Sequence, residues 1–125
     1  MKALKILIVD DDDLLRWSLF RFLTHAGHEV ATATDGLEAL AVAAAQHFDF
    51  VITDLSMPKL DGWKLLEKLM KFRHPPRVIV MTAQEGKDNY TKVMERGGWG
   101  YVEKTHLLDG ITEVFSKIPL ETSVT

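Results

Sequence analysis

Five short apolar runs alternate with five stretches of helical periodicity along this chain, and four of the five runs are closed by a polar residue. Leu4 to Val9 is apolar apart from Lys5 and stops at Asp10-Asp11-Asp12-Asp13. A short apolar run without alternation predicts a strand buried on both faces of a parallel sheet. Leu15, Leu19, Phe22, Leu23 and Ala26 then recur at helical spacing, with Gly27 as the stop. Glu29 to Ala33 reads as a shorter strand, and Leu37 to Gln46 as an Ala- and Leu-rich helix. Phe50-Val51-Ile52-Thr53 predicts a strand ended by Asp54, and Ser56-Met57-Pro58-Lys59 a loop. From Asp61 a helix turns Leu65, Leu66 and Leu69 inward. Arg77 to Met81 predicts a strand ended by Thr82-Ala83, and a polar loop leads into a helix from Lys87 to Arg96, closed by Gly97-Gly98. Tyr101-Val102-Glu103 is the last strand, ended by Lys104; the last helix runs from Leu107 to Lys117 and is broken at Pro119.

Strand and helix alternating in this way predict an α/β fold: a parallel sheet with helices on both faces and right-handed crossovers. At 125 residues the chain is one domain's worth, with no internal repeat or low-complexity tract. We expect the domain over residues 1–118 and a short tail or linker stub over 119–125. Cysteine is absent, which excludes disulfides and thiolate chemistry. A net charge of -3 argues against sequence-independent nucleic-acid binding. No apolar run approaches the roughly 20 residues of a membrane helix, and the N-terminus is no signal peptide. The expectation is a cytoplasmic domain with no membrane contact and no direct contact to nucleic acid.

In an open parallel sheet, function gathers at the carboxyl ends of the strands. Here those ends carry Asp10-Asp11, Asp54, Thr82 and Lys104. Carboxylates about 5 Å apart repel by roughly 3 kcal/mol at an effective dielectric of 20. A hard divalent cation offsets this best, and an all-oxygen site suits Mg²⁺. Carboxylates, a metal and a lysine together are poised for phosphoryl transfer: a carboxylate is the nucleophile, and cations stabilise the transferring oxygens. Thr82 offers a hydroxyl to one such oxygen.

These residues carry a resemblance. Ile6-Leu7-Ile8-Val9-Asp10-Asp11, Thr53-Asp54-Leu55-Ser56-Met57-Pro58, Asp61-Gly62, Met81-Thr82-Ala83 and Gly100-Tyr101-Val102-Glu103-Lys104, in this order and spacing, resemble the receiver domain of two-component response regulators. The likeness covers about Leu4 to Lys117. It implies a doubly wound (βα)5 flavodoxin-like three-layer sandwich with strand order 2-1-3-4-5. It implies Asp54 as phosphoacceptor, and Mg²⁺ held by Asp10, Asp11, Asp54 and the Ser56 backbone carbonyl. By the same likeness Lys104 contacts the phosphoryl group, Ala83 leaves room for the incoming phosphohistidine, and Thr82 and Tyr101 form a switch pair. The partners implied are a sensor histidine kinase or phosphotransfer protein and a downstream output domain or protein, with a homodimer on phosphorylation. The domain then is not an enzyme with turnover; it catalyses its own phosphoryl transfer and autodephosphorylation. Leu15-Arg16-Trp17 is similar to receivers of the nitrogen-regulator (NtrC-like) class. One position departs from the family pattern: Thr105 follows Lys104 where the family usually has proline, often through a cis bond. A non-proline residue makes trans the default, so a different loop is expected there.

Other residues have plainer readings. Asp12, Asp13 and Asp61 sit at helix starts as caps and dipole partners. His25 and His28 straddle Gly27 and do not form a metal site. Gly97-Gly98-Trp99-Gly100 precedes a strand, so it ends a helix and does not cradle a phosphate. Trp17, Phe20 and Trp99 fall outside the core pattern, which makes Trp99 and Trp17 candidate interface residues. Ser56 and Gln84 border the site and would influence water access. Three alternatives stay open. The first is a haloacid-dehalogenase-like phosphatase using Asp10 in an Asp-x-Asp spacing. The second is a receiver-like module that signals without phosphorylation. The third is a flavin protein of the same layout, disfavoured because acids stand where a phosphate needs backbone donors.

Overall fold

The computed structural model describes residues 3–83 and 87–118, without the Lys87 side chain. Gln84, Pro119 and the expected tail lie outside the described residues. The strands are β1 (Lys5–Val9), β2 (Glu29–Ala33), β3 (Phe50–Asp54), β4 (Arg77–Thr82) and β5 (Gly100–Glu103). The helices are α1 (Asp13–His25), α2 (Gly36–Ala45), α3 (Gly62–Leu69), α4 (Lys87–Glu95) and α5 (Leu107–Ser116), with a 3-10 turn over Lys104–His106. Neighbouring strands pair in parallel, in the order β2-β1-β3-β4-β5. The fold is the doubly wound sandwich expected, with boundaries within a residue or two. β4 runs on through Thr82 and β5 begins at Gly100, because pairing with the neighbouring strand carries each past its apolar run.

The apolar runs are continuous because both faces of the sheet are covered. Ile6, Ile8, Phe50, Ile52, Ile79 and Met81 point to one side and pack with Leu19 and Leu23 of α1 and Ile111, Val114 and Phe115 of α5. Leu7, Val9, Val51, Val78 and Val80 point to the other and pack with Ala39, Leu65, Leu66, Leu69 and Val93 from α2, α3 and α4. Two aromatics left outside the sequence pattern belong to the first of these cores. Phe20 packs against it, and Trp99 lies edge-on to Phe50 at 5.2 Å with the Arg77 guanidinium 5.1 Å above its ring. Helical periodicity could not find Trp99, because it sits in the connection before β5 and at the sheet's amino edge. Trp17 is 57% exposed and stacks on Phe20.

Local chemistry fixes the helix ends. Asp12 caps α1, accepting from Leu14 N (3.0 Å) and Leu15 N (3.2 Å). At its end the His28 N–H bonds the Leu23 carbonyl and the Gly27 N–H the Thr24 carbonyl, with Gly27 at φ +95°. This is a Schellman stop, and it favours a residue without a Cβ. Asp35 caps α2 and Asp61 caps α3, accepting from Glu38 N and Lys64 N. The entry to α3 is crowded: a Cβ on Gly62 would lie 2.2 Å from the Asp54 carbonyl oxygen. Gly62→Ala is therefore expected to lower stability by about 1–3 kcal/mol in urea unfolding.

His28 is buried, its Nδ1 accepting the Leu4 N–H at 3.0 Å. Burial lowers its pKa from the ordinary value, so the neutral ring is the folded form. The unfolded chain protonates this residue as pH falls past about 6.5 while the folded chain does not, so its contribution is complete above that pH and declines below. Stability is expected to fall more between about pH 7.5 and 5.5 in the parent than in His28→Gln, as measured by urea midpoints.

Candidate functional site

Strand register brings the polar closers together. Val9 pairs with Thr53, Asp54 with Met81 and Thr82 with Glu103, so Asp10, Asp54, Thr82 and Lys104 all finish on the same edge of the sheet. One oxygen from each of Asp10, Asp11 and Asp54 lies within 4.8 Å of the others. Lys104 Nζ donates to Asp54 Oδ2 at 2.9 Å and stands 3.1 Å from Asp10 Oδ2. The Lys104–Thr105 peptide is trans and the lysine opens a 3-10 turn, which leaves it long enough to reach both acids.

Asp10 is wholly buried. Its Oδ1 accepts the Asp12 N–H at 2.9 Å. Its Oδ2 has the lysine's charge beside it but no hydrogen bond aimed at it. Burial raises the Asp10 pKa, helped by the Asp54 charge and opposed by the Asp12 N–H and Lys104. For Lys104, burial works against the charged form, but the close contacts with Asp54 and Asp10 and the attraction of their charges outweigh it, and its pKa is raised. One lysine against three carboxylates leaves an excess of negative charge. The donors are all oxygen, and one buried oxygen lacks a hydrogen bond, so the residues fit a hard divalent cation.

An open cleft of about 550 Å³ adjoins this cluster, lined by Asp54, Ser56, Met57, Trp63, Thr82, Ala83, Asn89 and Lys104 among others. Ser56 N lies 3.4 Å from Asp54 Oδ1. Thr82 is buried and Ala83 exposed at the rim. Tyr101 is not in the lining: it is half-buried on β5, its ring edge-on to Tyr90 at 5.8 Å. Trp17 and Trp99 are not in the lining either, and Trp99 lies at the far, amino edge of the sheet. Asp61 lines the cleft but its carboxylate is engaged as the α3 cap.

The sequence reading missed three contributors. Arg16 donates from Nη1 to the Asp10 carbonyl at 2.8 Å and pairs with Asp13, fixing the acidic turn from α1. Its signal was present in the i,i+3 spacing from Asp13. Trp63 and Asn89 reach the cleft only because α3 and α4 lie side by side, which no local pattern encodes.

Residues 6–115 match the family model of the response regulator receiver domain. The DNA-binding transcriptional regulator NtrC of Salmonella typhimurium strain LT2 is 38% identical over 103 residues, covering 82% of this chain and 22% of that protein. The response regulator MprA of Mycobacterium bovis is 33% identical over 107 residues, covering 86% of this chain and 46% of that one. The chain thus spans about a fifth to a half of the length of these relatives. Among solved structures, the receiver domain of the Francisella response regulator 1452 superposes with a TM-score of 0.85 at 28% identity, over 91% of this chain and 95% of that chain. The chemotaxis protein CheY4 of Vibrio cholerae gives 0.82 at 28% identity, over 94% and 100%.

The crowding at Asp10 has a direct consequence. In buffer free of divalent cations, Asp10→Asn is expected to be more stable than the parent by about 1–2 kcal/mol, read from denaturant midpoints, because the repulsion and desolvation fall on the charged form.

Proposed function

This chain belongs to the response regulator receiver domain family, and we propose that it is a phosphorylation-driven switch with Asp54 as the phosphoacceptor. The observation that carries the reading is the reach of Lys104 to both Asp54 and Asp10 despite Thr105 in the following position. In this reading Asp10, Asp11, Asp54 and the Ser56 carbonyl hold Mg²⁺, which supplies positive charge to neutralise the phosphoryl oxygens. The Asp54 carboxylate attacks the phosphorus of a phosphohistidine on a sensor kinase or phosphotransfer protein. An O–P bond forms, the N–P bond breaks, and the imidazole keeps the electron pair; the product is an acyl phosphate. Lys104, released from the free carboxylate, turns its three donors to the new phosphoryl group. Thr82 lies in the same cleft and donates its hydroxyl to that group, while Ala83 at the rim leaves the histidine room.

Phosphorylation shifts an existing equilibrium between two conformations by binding one of them better. Tyr101 follows Thr82 and reports the change on the surface of α4, β5 and α5. That surface engages the downstream output domain or protein, or a second copy. The likeness to NtrC supports the NtrC-like class within this reading, and the cytoplasm, where kinase and phosphoryl donors meet, is its location in this proposal. Among the described residues no helix is long and apolar enough to cross a membrane.

Incubation with Mg²⁺ and acetyl phosphate is expected to add one phosphoryl group to the parent and none to Asp54→Asn, by intact mass. Labelling of the Asp54→Asn variant at another residue overturns the assignment. Lys104→Ala is expected to slow phosphoryl transfer by about 10²-fold or more while retaining Mg²⁺ binding in titration calorimetry. Loss of both together would contradict separate roles for the lysine and the acids.

A further inference from the structure

A second depression lies beside the phosphoacceptor cleft, between α3 and the end of α4. It has a volume of about 570 Å³ and is lined by Trp63, Lys64, Glu67, Met70, Lys71 and Arg96. Its floor is apolar, formed by the Trp63 indole and the Met70 thioether. The Arg96 guanidinium lies over the Trp63 ring at 5.0 Å. Lys64 and Lys71 are exposed at the rim. Glu67 is the one acid in this lining, 3.8 Å from Lys64 and more than half exposed. Of the six Lys and Arg in residues 59–77, Lys59 stands beside Asp35 and Arg77 lies over Trp99 at the amino edge, so the groove's own cations are Lys64, Lys71 and Arg96 against the single acid Glu67. The rest of the chain is acidic in balance, so this is a positive surface on a negative protein.

We propose that this groove docks a protein segment in which acidic residues flank an apolar anchor. The anchor fills the space over Trp63 and Met70, and its neighbouring carboxylates meet Lys64, Lys71 and Arg96. Arginine suits this position, since its planar group stacks on the indole while keeping donors free for a carboxylate. The charge pattern favours a protein segment over nucleic acid. Three cations interrupted by Glu67 make a small footprint for a polyanion. Trp63 also lines the Asp54 cleft, so the two depressions share a wall. The proposal stands independently of Asp54 phosphorylation, and its test uses the unphosphorylated chain.

The probe is a short synthetic peptide with one Phe flanked on both sides by Asp and Glu, compared with its Asn and Gln counterpart. Fluorescence anisotropy of the labelled peptides and the indole N–H resonance of Trp63 are read together at low and physiological salt. The acidic peptide is expected to bind and shift the Trp63 resonance, and to weaken with salt. Combined Lys64→Glu and Lys71→Glu is expected to weaken it by at least about tenfold with an unchanged thermal melt. The surface position of both lysines keeps the fold intact; Lys64→Gln with Lys71→Gln repeats the test without new charge. Equal binding of the neutral peptide, undiminished binding by both double variants, or no binding at millimolar peptide overturns the proposal. So does tighter binding of a single-stranded oligonucleotide at the same resonance.

Discussion

Three carboxylates face one lysine at the carboxyl edge of the sheet, and much of the surrounding structure exists to hold them there. Asp10, Asp11 and Asp54 bring oxygens within 4.8 Å of one another. A fold selected for stability alone would place apolar side chains at these strand ends, since unbalanced buried charge costs more than it returns. The restraints are correspondingly many. The Asp12 N–H anchors Asp10 Oδ1, Arg16 holds the Asp10 carbonyl, and Lys104 bridges to Asp54 across the sheet. Asp12 and Arg16 act locally on Asp10, whereas Lys104 comes from beyond β5, so the cluster is complete only when the whole sheet edge is assembled.

The loop after β3 is held as firmly. Leu60 N–H closes a tight turn onto the Pro58 carbonyl, with Lys59 at φ +70°, an uncommon conformation for a residue bearing a Cβ. Lys59 Nζ stands 3.6 Å from Asp35 Oδ2 at the start of α2. Gly36 lets the Leu60 carbonyl approach to where a Cβ would clash at 2.0 Å, and Gly62 does the same for the Asp54 carbonyl. Two glycines on two helices thus permit one loop to lie flat against the sheet edge, which presents Ser56 beside Asp54. The loop's position depends on α2 as much as on β3 and α3.

The two faces of the sheet divide the work. One, with α1 and α5, is densely aromatic: Phe50, Trp99 and Phe115 meet near the amino edge, far from the acids. The other, with α2, α3 and α4, carries the side chains that border the cleft. Trp63 of α3 reaches the Asp54 cleft on one side and the cationic groove on the other. On this face α4 contributes Val93 to the buried core, while Tyr90 and Met94 remain substantially exposed. A helix anchored so lightly is suited to shift against the sheet.

The alternation of apolar runs and helical stretches already determined the α/β architecture, because buried parallel strands must be apolar on both faces and such runs are visible locally. The strand-closing positions of Asp10, Asp54, Thr82 and Lys104 were likewise legible, as were the caps at Asp12 and Asp61, since each is a chemical choice at a single position. What tertiary structure decided was lateral. The placing of Lys104 against two acids fifty and more residues away depends on strand register and on a trans turn, and neither is written in a local pattern. The same holds for Trp99, half-buried at the amino edge by its approach to Phe50. It holds too for Trp63, which reads as a helix residue and becomes the wall between two depressions because α4 lies alongside. Periodicity reports which face of an element is buried; which neighbour covers it, and at what height, is fixed only when the elements pack.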